Sequence, residues 1–144
     1  MKIIFLINAN KYSGGGHFYR CLKLISRLFE EQHEVSVLEA NIEKFYIDKL
    51  LGLGIKTVNQ VNKSDYIFCD NYALNLDDYK NLSKMCKYLV VMDDLCNRQI
   101  YADYLWDPNP LRSRRDYEDY INYSAELFLG GKYAFFDDST KNYY

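Results

Sequence analysis

A short apolar run, a glycine-rich loop and an amphipathic segment follow one another at the start of the chain. The run covers residues 3–8, the loop carries Gly14, Gly15 and Gly16, and apolar side chains then recur every three or four positions through residues 18–29. A continuous apolar run is typical of a strand buried on both faces of a parallel sheet, and the periodic segment is typical of a helix with one buried side. The start of the chain therefore predicts a β-strand that enters a helix through a glycine loop.

The same alternation continues along the chain. Further short apolar runs predict strands at residues 35–38, 55–58, 66–69, 88–92, 104–106 and 127–129. Helices are predicted at residues 42–51, 76–86 and 117–121. Asn75 is expected to cap the second of these helices. Strands that alternate with helices at this interval are joined by right-handed crossovers into a parallel sheet. We therefore expect an α/β fold, with a Rossmann-like, mostly parallel sheet and helices on both faces.

Length and composition limit the size and the partners of this fold. The chain has 144 residues, which is enough for one domain with a real core, and its net charge is -2. A nucleic-acid-binding protein normally shows a basic excess, and the only basic cluster, residues 112–115, is followed directly by acidic residues. That cluster is predicted to be a solvated mixed-charge segment, and no nucleic-acid partner is expected.

Cysteines and apolar runs indicate the environment of the protein. The 4 cysteines, at positions 21, 69, 86 and 96, have no C-x-x-C spacing, and only 2 histidines accompany them. Free thiols, no metal site and no cofactor are therefore expected. No apolar run approaches the ~20 residues of a membrane span, and the opening apolar stretch is too short for a signal peptide. We expect a cytoplasmic protein without a membrane partner, with a domain at residues 1–136 and a polar tail at 137–144.

Polar side chains follow several of the predicted strands at the point where each strand ends. They are Asn8 and Asn10, residues 70–72, Asp93 and Asp94 with Arg98, and Asn109. In an open parallel sheet, ligands bind beyond the carboxyl ends of the strands. Residues of these types also cap helices and form turns very commonly. The pattern therefore favours a polar ligand at this edge of the sheet without naming it.

His17 stands where the glycine loop meets the first predicted helix. An unperturbed histidine, with a pKa near ~6.5, exchanges a proton close to neutral pH. The glycines let the backbone approach a ligand closely, and the free N–H groups of a helix start favour an anion. His17 is therefore the candidate catalytic residue. The alternative is that a histidine in the first turn serves only as a helix cap.

Five blocks of sequence carry a family resemblance. Residues 14–22 read G-G-G-H-F-Y-R-C-L and residues 70–75 read D-N-Y-A-L-N. Three more blocks follow, M-D-D-L-C-N-R at residues 92–98, D-Y-L-W-D-P-N at 103–109 and L-G-G-K-Y-A at 129–134. In order and spacing they resemble G-x-G-H-x-x-R-C-L, D-x-Y-x-L-D, I-D-D-L-A-x-R, D-x-L-L-D-x-N and L-G-P-x-Y-A-L. These motifs belong to the UDP-sugar hydrolases of pseudaminic acid biosynthesis, whose relatives include spore-coat polysaccharide proteins.

The resemblance implies a fold, a reaction and a set of site residues. The fold would be the N-terminal half of a two-domain GT-B protein. The reaction would be hydrolysis of UDP-2,4-diacetamido-2,4,6-trideoxy-β-L-altropyranose, in which water attacks the anomeric carbon and UDP leaves. His17 matches the family's catalytic histidine, and Tyr72 matches its tyrosine near the sugar. The other residues expected at the substrate site are Gly14, Gly15, Gly16, Arg20, Asp70, Asp94, Arg98 and Asn109.

The chain also departs from the family pattern. It has Asn8-Ala9-Asn10 where the family usually has Arg-x-Asp, and Gln99 and Ile100 where the family commonly has a histidine. A polar stretch follows residue 136 in place of R-P-E-F and a second GT-B domain. That domain is therefore expected to be absent or to be supplied by a separate C-terminal subunit. The alternatives to an active hydrolase are a non-catalytic binding half-domain associated with a glycan enzyme and a truncated inactive product.

Overall fold

The computed structural model describes residues 1–134, and its strands form one parallel sheet. The strands are β1 Lys2–Ile7, β2 Glu34–Leu38, β3 Lys56–Val58, β4 Ser64–Asp70, β5 Cys86–Met92, β6 Tyr104–Asp107 and β7 Glu126–Leu129. They lie in the order β3-β2-β1-β4-β5-β6-β7, and every neighbouring pair is parallel. The predicted α/β, Rossmann-like sheet is confirmed. The predicted domain end at residue 136 and the polar tail 137–144 lie outside the described residues.

Helices cover both faces of the sheet, as predicted. They are α1 Gly16–Glu30, α2 Lys44–Gly52 and α3 Leu76–Ser83, with 3-10 helices at Arg114–Tyr117 and Gly131–Tyr133. α1 and α2 pack against one face, where Phe18 and Ile25 share a core with Phe5 of β1. α3 packs against the other face, where Tyr79 shares a second core with Leu6. Alternate residues of β1 thus enter opposite cores, as the period of a strand requires.

Two of the predicted helices differ from the structure by more than two residues, while α1 and α2 differ by one or two residues at each end. α3 begins after Asn75, whose side chain accepts a hydrogen bond from the Asp78 N–H at 3.0 Å, but it ends at Ser83 because Cys86 already pairs with Ser64 in the sheet. The helix predicted at residues 117–121 is wrong in position. A 3-10 helix forms earlier, at Arg114–Tyr117, because Ser113 and Asp116 make a capping box at its start.

One half of the first face carries no α-helix within residues 1–134. The connections from β3 onward all advance toward the β7 edge, and right-handed crossovers place them on the face that bears α3. Rings of Tyr66, Tyr88, Tyr104 and Phe128 therefore form a ladder on the uncovered half, with neighbouring centroids 5.2, 5.7 and 6.0 Å apart. A cavity of about 400 Å³ opens over this aromatic ladder and is also lined by Phe68, Val90, Trp106 and Tyr133.

The cysteines are free thiols, as expected, and Cys21 and Cys69 are buried in the two cores. Burial raises the pKa of the Cys86 thiol to about 11. In the described part of the chain, no helix is both long and apolar enough to cross a membrane.

Candidate active site

The carboxyl ends of β1 and β4 meet the N-terminal turn of α1. β4 ends at Asp70, and α1 begins at Gly16, so His17 and Arg20 lie one helical turn apart on the side that faces Asp70. The loop after β4 carries Tyr72, and the loop after β5 carries Asp94. These five residues, His17, Arg20, Asp70, Tyr72 and Asp94, are hydrogen-bonded to one another and are called the site cluster below.

His17 and Asp70 form a hydrogen-bonded pair. The Nδ1 atom of His17 lies 2.6 Å from Oδ1 of Asp70, whose side chain has 0% exposure. Burial alone would raise the pKa of Asp70, but hydrogen bonds from His17 and Arg20 and the charge of Arg20 hold it below its ordinary value. Asp70 is therefore an ionised acceptor, and Nδ1 carries the hydrogen. The neutral imidazole then presents the lone pair of Nε2, which has no hydrogen-bond partner within residues 1–134.

Arg20 joins the two carboxylates of the cluster. Its Nε and Nη2 donate to the two oxygens of Asp70, and its Nη1 lies 3.1 Å from Oδ2 of Asp94. Nη2 also donates to the Tyr72 hydroxyl at 3.1 Å. The same atom lies 3.4 Å from Nδ1 of His17, but both nitrogens carry hydrogen, so this contact is not a hydrogen bond. Arg20 thus fixes the positions of Asp70 and Asp94 without making a hydrogen bond to the imidazole.

The Tyr72 ring packs against the imidazole of His17. Its ring meets the His17 ring edge-on, with centroids 4.5 Å apart and planes at 74°. Burial and the hydrogen bond to Asp94 raise the pKa of the Tyr72 hydroxyl, so it stays protonated and donates to that carboxylate. The Arg98 guanidinium stacks on the ring at 5.0 Å from its centroid. The orientation of the His17 ring is therefore fixed by Asp70 and by Tyr72.

The charges of the site cluster do not balance. Two carboxylates, Asp70 and Asp94, face one guanidinium, Arg20, so the cluster is negative by one charge while His17 is neutral. A net negative charge stabilises an imidazolium that forms beside it. The His17 side chain is 12% exposed and that of Asp94 is 39% exposed, so water reaches this edge of the cluster. The arrangement can accept a proton at Nε2 from a water molecule.

Two positions of the glycine loop require glycine for the backbone to adopt this shape. Gly14 has φ +70°, a conformation that favours glycine, and a Cβ on Gly15 would lie 2.9 Å from the Tyr46 hydroxyl. Gly16 has open space around it and is the first residue of α1. The first intrahelical bond runs from the Tyr19 N–H to the Gly15 carbonyl, so the N–H groups before it have no intrahelical partner. These N–H groups lie beside His17 and favour an anion there.

The predicted asparagines lie at the same edge but mainly shape turns. Asn10 donates to the Asn8 side chain at 2.7 Å, and its own oxygen accepts from backbone N–H groups of the loop. The Asn109 oxygen accepts from the Leu111 N–H at 3.0 Å. Asn109 also lines a shallow cavity of about 470 Å³ together with Asp94, Leu95, Pro108 and Ala134. Of the three, Asn109 is therefore brought beside the site cluster.

A second polar cluster lies next to the first and was not predicted. Asp93 directly follows β5, and Asp107 is the last residue of β6. Only 1% of the surface of Asp93 and 0% of that of Asp107 is exposed. The Tyr117 hydroxyl lies 2.7 Å from one oxygen of each. Arg98 pairs with Asp93, and Arg112 pairs with Asp107, each at 2.6 Å. These five residues are called the buried cluster below, and it is neutral because two guanidinium groups match two carboxylates.

The buried cluster contains two arginines that the sequence analysis placed elsewhere. Arg112 was predicted to belong to a solvated segment, but its side chain is 17% exposed and is bound to Asp107, whereas Arg114 and Arg115 are exposed. Arg98 was predicted at the substrate site, but its hydrogen bonds are to Asp93 and to the Tyr79 hydroxyl. Arg98 reaches the site cluster only through the Tyr72 ring. The two aspartates, one directly after β5 and one at the end of β6, were the part of this cluster that the sequence could have indicated.

Across residues 1–134, no group of three or more His, Cys, Asp or Glu side chains is arranged to hold a metal ion. No protein-family model matches the chain, and no curated protein matches it.

Proposed function

We propose that the protein is a nucleotide-sugar hydrolase in which His17 is the general base. The observation that supports this proposal is the hydrogen bond between Nδ1 of His17 and buried Asp70, because it directs the Nε2 lone pair away from Asp70. The more specific assignment, a UDP-sugar hydrolase of pseudaminic acid or related surface-glycan biosynthesis, rests on the five sequence blocks.

The proposed reaction transfers one proton and breaks one bond. A water molecule gives its proton to Nε2 of His17 while its oxygen attacks the anomeric carbon of the sugar. The bond between that carbon and the diphosphate oxygen breaks, and UDP leaves with the electron pair. Asp70 stays ionised and, with the net negative charge of the site cluster, stabilises the imidazolium. His17 returns to its neutral form by releasing the proton to solvent.

The start of α1 suits the leaving group. Its free N–H groups and the positive end of its dipole lie at the glycine loop, beside His17. Such donors stabilise the charge that develops on a departing diphosphate. Gly15 has no room for a side chain, because a Cβ there would lie 2.9 Å from the Tyr46 hydroxyl. Gly14, Gly15 and Gly16 are thus proposed to bind the diphosphate through backbone N–H groups.

The cavity beside Asp94 suits the sugar. Asp94 and Asn109 offer polar groups to hydroxyl and amide substituents, while Leu95, Pro108 and Ala134 offer apolar contact to methyl groups. This mixture matches a deoxysugar with acetamido substituents. In the family that the blocks resemble, a second GT-B domain supplies most of the nucleotide site. A separate C-terminal subunit of that kind is the proposed protein partner.

The experiment measures UDP release from the altropyranose substrate by the chain alone and by the chain with a candidate second-half subunit. His17→Asn keeps an N–H that can donate to Asp70 but has no base at Nε2, and should lower kcat by about 10²–10⁴-fold. His33→Asn is the matched control, since His33 lies apart from the cluster, near the chain's amino terminus. Absence of UDP release by the wild type in both settings, or equal rates in wild type and His17→Asn, would contradict the hydrolase proposal.

A non-catalytic docking half-domain is the second candidate, and the aromatic ladder favours it. Its rings occupy half of a sheet face that no α-helix within residues 1–134 covers. In that case His17→Asn would bind a glycan-enzyme partner as the wild type does, and neither protein would release UDP.

A further inference from the structure

Asp94 depends on a residue outside the site cluster for the position of its backbone. Its side chain is 39% exposed, and it meets Arg20 and Tyr72 from a loop rather than from a strand. The carbonyl oxygen of Asp94 accepts a hydrogen bond from Nη2 of Arg112 at 2.9 Å. A fixed carbonyl restricts the peptide plane that follows Asp94 and thereby limits where its carboxylate can point.

Arg112 is itself held firmly. Its Nε lies 2.6 Å from Oδ2 of Asp107, a carboxylate that is fully buried at the end of β6. The same oxygen lies 2.7 Å from the Tyr117 hydroxyl, and the Arg112 guanidinium lies 5.7 Å from the centroid of the Tyr117 ring. One guanidinium thus ties the carboxyl end of β6 to the loop after β5.

We infer that Arg112 is a positioning residue for the proposed hydrolysis and acts through Asp94. This inference rests on the proposed function for its role in the reaction, but the contact between Arg112 and Asp94 does not. When Asp94 is held beside Arg20, its charge offsets the guanidinium that lies 3.4 Å from the imidazole. When Asp94 is released, Arg20 acts on His17 with less compensation and disfavours the imidazolium.

The role requires the shape of arginine as well as its charge. Nε and Nη2 of Arg112 are used at once, one for Asp107 and one for the Asp94 carbonyl. A lysine has the same charge but a single nitrogen, so it cannot make both bonds in this geometry. Arg112→Lys therefore separates the loss of geometry from the loss of charge.

The test follows the two histidines of the full chain by NMR through a pH titration. In Arg112→Lys, the titration midpoint of the His17 signal should move to lower pH by roughly half a unit, because Asp94 no longer stays beside Arg20. The His33 signal should keep its midpoint, and so should both signals in Arg115→Lys, which alters an exposed arginine of the same segment. Removing the Arg112 charge while Asp94 stayed in place would instead move the His17 midpoint to higher pH. A shift to lower pH therefore reports the release of Asp94, and a shift to higher pH would overturn the inference.

A second variant makes the result specific. Asp94→Asn should lower the His17 midpoint at least as much, and adding Arg112→Lys to it should cause no further change if Arg112 acts through Asp94. Additive shifts, or an unchanged midpoint in a folded Arg112→Lys protein, would overturn the inference. Loss of the fold in both Arg112→Lys and Arg112→Gln would overturn it too, since Arg112 would then be a scaffold residue.

Kinetics give a separate readout. If the hydrolase proposal holds, Arg112→Lys should lower kcat several-fold more than it raises KM, because the imidazolium forms only during the reaction. If no UDP release occurs but the His17 midpoint shifts as described, the proposed function fails while the positioning role of Arg112 stands. If UDP release occurs and the midpoint does not shift, the positioning role fails while the proposed function stands.

Discussion

The site cluster and the buried cluster lie side by side and use the same kinds of side chain, but they differ in charge and in access to solvent. The site cluster has two carboxylates and one guanidinium, while the buried cluster has two of each. The side chain of Asp94 in the first is 39% exposed, whereas the side chains of Asp93 and Asp107 in the second are both 0% exposed. Only the site cluster contains a histidine, and solvent reaches it.

The difference separates a site that can move a proton from a site that holds a fold together. In the buried cluster each carboxylate is paired with a guanidinium, and the Tyr117 hydroxyl lies between the two carboxylates, so the charges already balance without a further proton. In the site cluster the missing positive charge is one that His17 supplies when it is protonated. Variants that remove a carboxylate or a tyrosine hydroxyl from one cluster or the other test this comparison.

The largest effect is expected for Asp70→Asn. The variant removes the carboxylate that orients His17 and leaves Arg20 without its main partner. We expect kcat to fall by about 10²–10⁴-fold, and the free energy of unfolding to fall by about 3 kcal/mol. UDP release and urea unfolding measure the two effects. Asp48→Asn is the control, since it removes an exposed carboxylate paired with Lys44, and a similar loss there would argue against a special role for Asp70.

A smaller effect is expected when each cluster loses its tyrosine hydroxyl. Tyr117→Phe removes the hydroxyl that lies between two buried carboxylates and should lower the free energy of unfolding by about 2 kcal/mol. Tyr72→Phe should lower it by about 1 kcal/mol or less, because exposed Asp94 can bond to water instead. Urea unfolding of both variants gives the comparison. If Tyr72→Phe lowered the free energy of unfolding more than Tyr117→Phe, the site cluster rather than the buried cluster would be the one that stabilises the fold.

Much of the fold and of the site cluster could be predicted because their signals are local in the sequence. The apolar run of β1 and the three- and four-residue spacing in α1 indicate their structures directly. His17 and Arg20 share one helix, and Asp70 ends a strand, so the parallel sheet brings them to one edge. The family resemblance added Arg20 to this set and gave Tyr72, already predicted at the end of the strand, a place near the sugar.

The arginine and tyrosine members of the buried cluster could not be predicted because their signal is not local. Arg112 stands among charged residues, and nothing in that segment indicates which arginine enters the interior. Its burial follows from Asp107 at the end of β6 and from Tyr117 in the 3-10 helix, which are brought together only by the folded chain. The 3-10 helix was misplaced for a different reason, since the capping box of Ser113 and Asp116 is a local signal that overrides the weak apolar pattern after it.

Both clusters should make the stability of the protein depend on pH at both extremes. The pKa of Asp70 and that of Asp93 lie below the ordinary value, since their hydrogen bonds outweigh burial. Their contribution is complete above about pH 4 and is lost as the pH falls through the lowered values. Burial raises the pKa of Tyr72 and of Tyr117, so their contribution is complete below about pH 10 and is lost as the pH rises beyond it.

Urea unfolding between pH 3 and pH 11 measures these two limbs. Asp93→Asn should flatten the acid limb, and Tyr117→Phe should flatten the alkaline limb more than Tyr72→Phe does, because Tyr117 contacts two carboxylates and Tyr72 contacts one. Equal alkaline slopes in the two tyrosine variants would contradict the charge contrast between the clusters.

The smallest effects are expected in the glycine loop, which leads into the site cluster and has no role in the buried one. Gly14→Ala should lower the free energy of unfolding by about 1 kcal/mol because φ is +70° there. Gly16→Ala should leave it unchanged or raise it by up to about 1 kcal/mol, since the position is helical and open. A rise in KM for Gly16→Ala despite its full stability would therefore report close approach of the substrate to the backbone. An unchanged KM would confine the role of this loop to its shape.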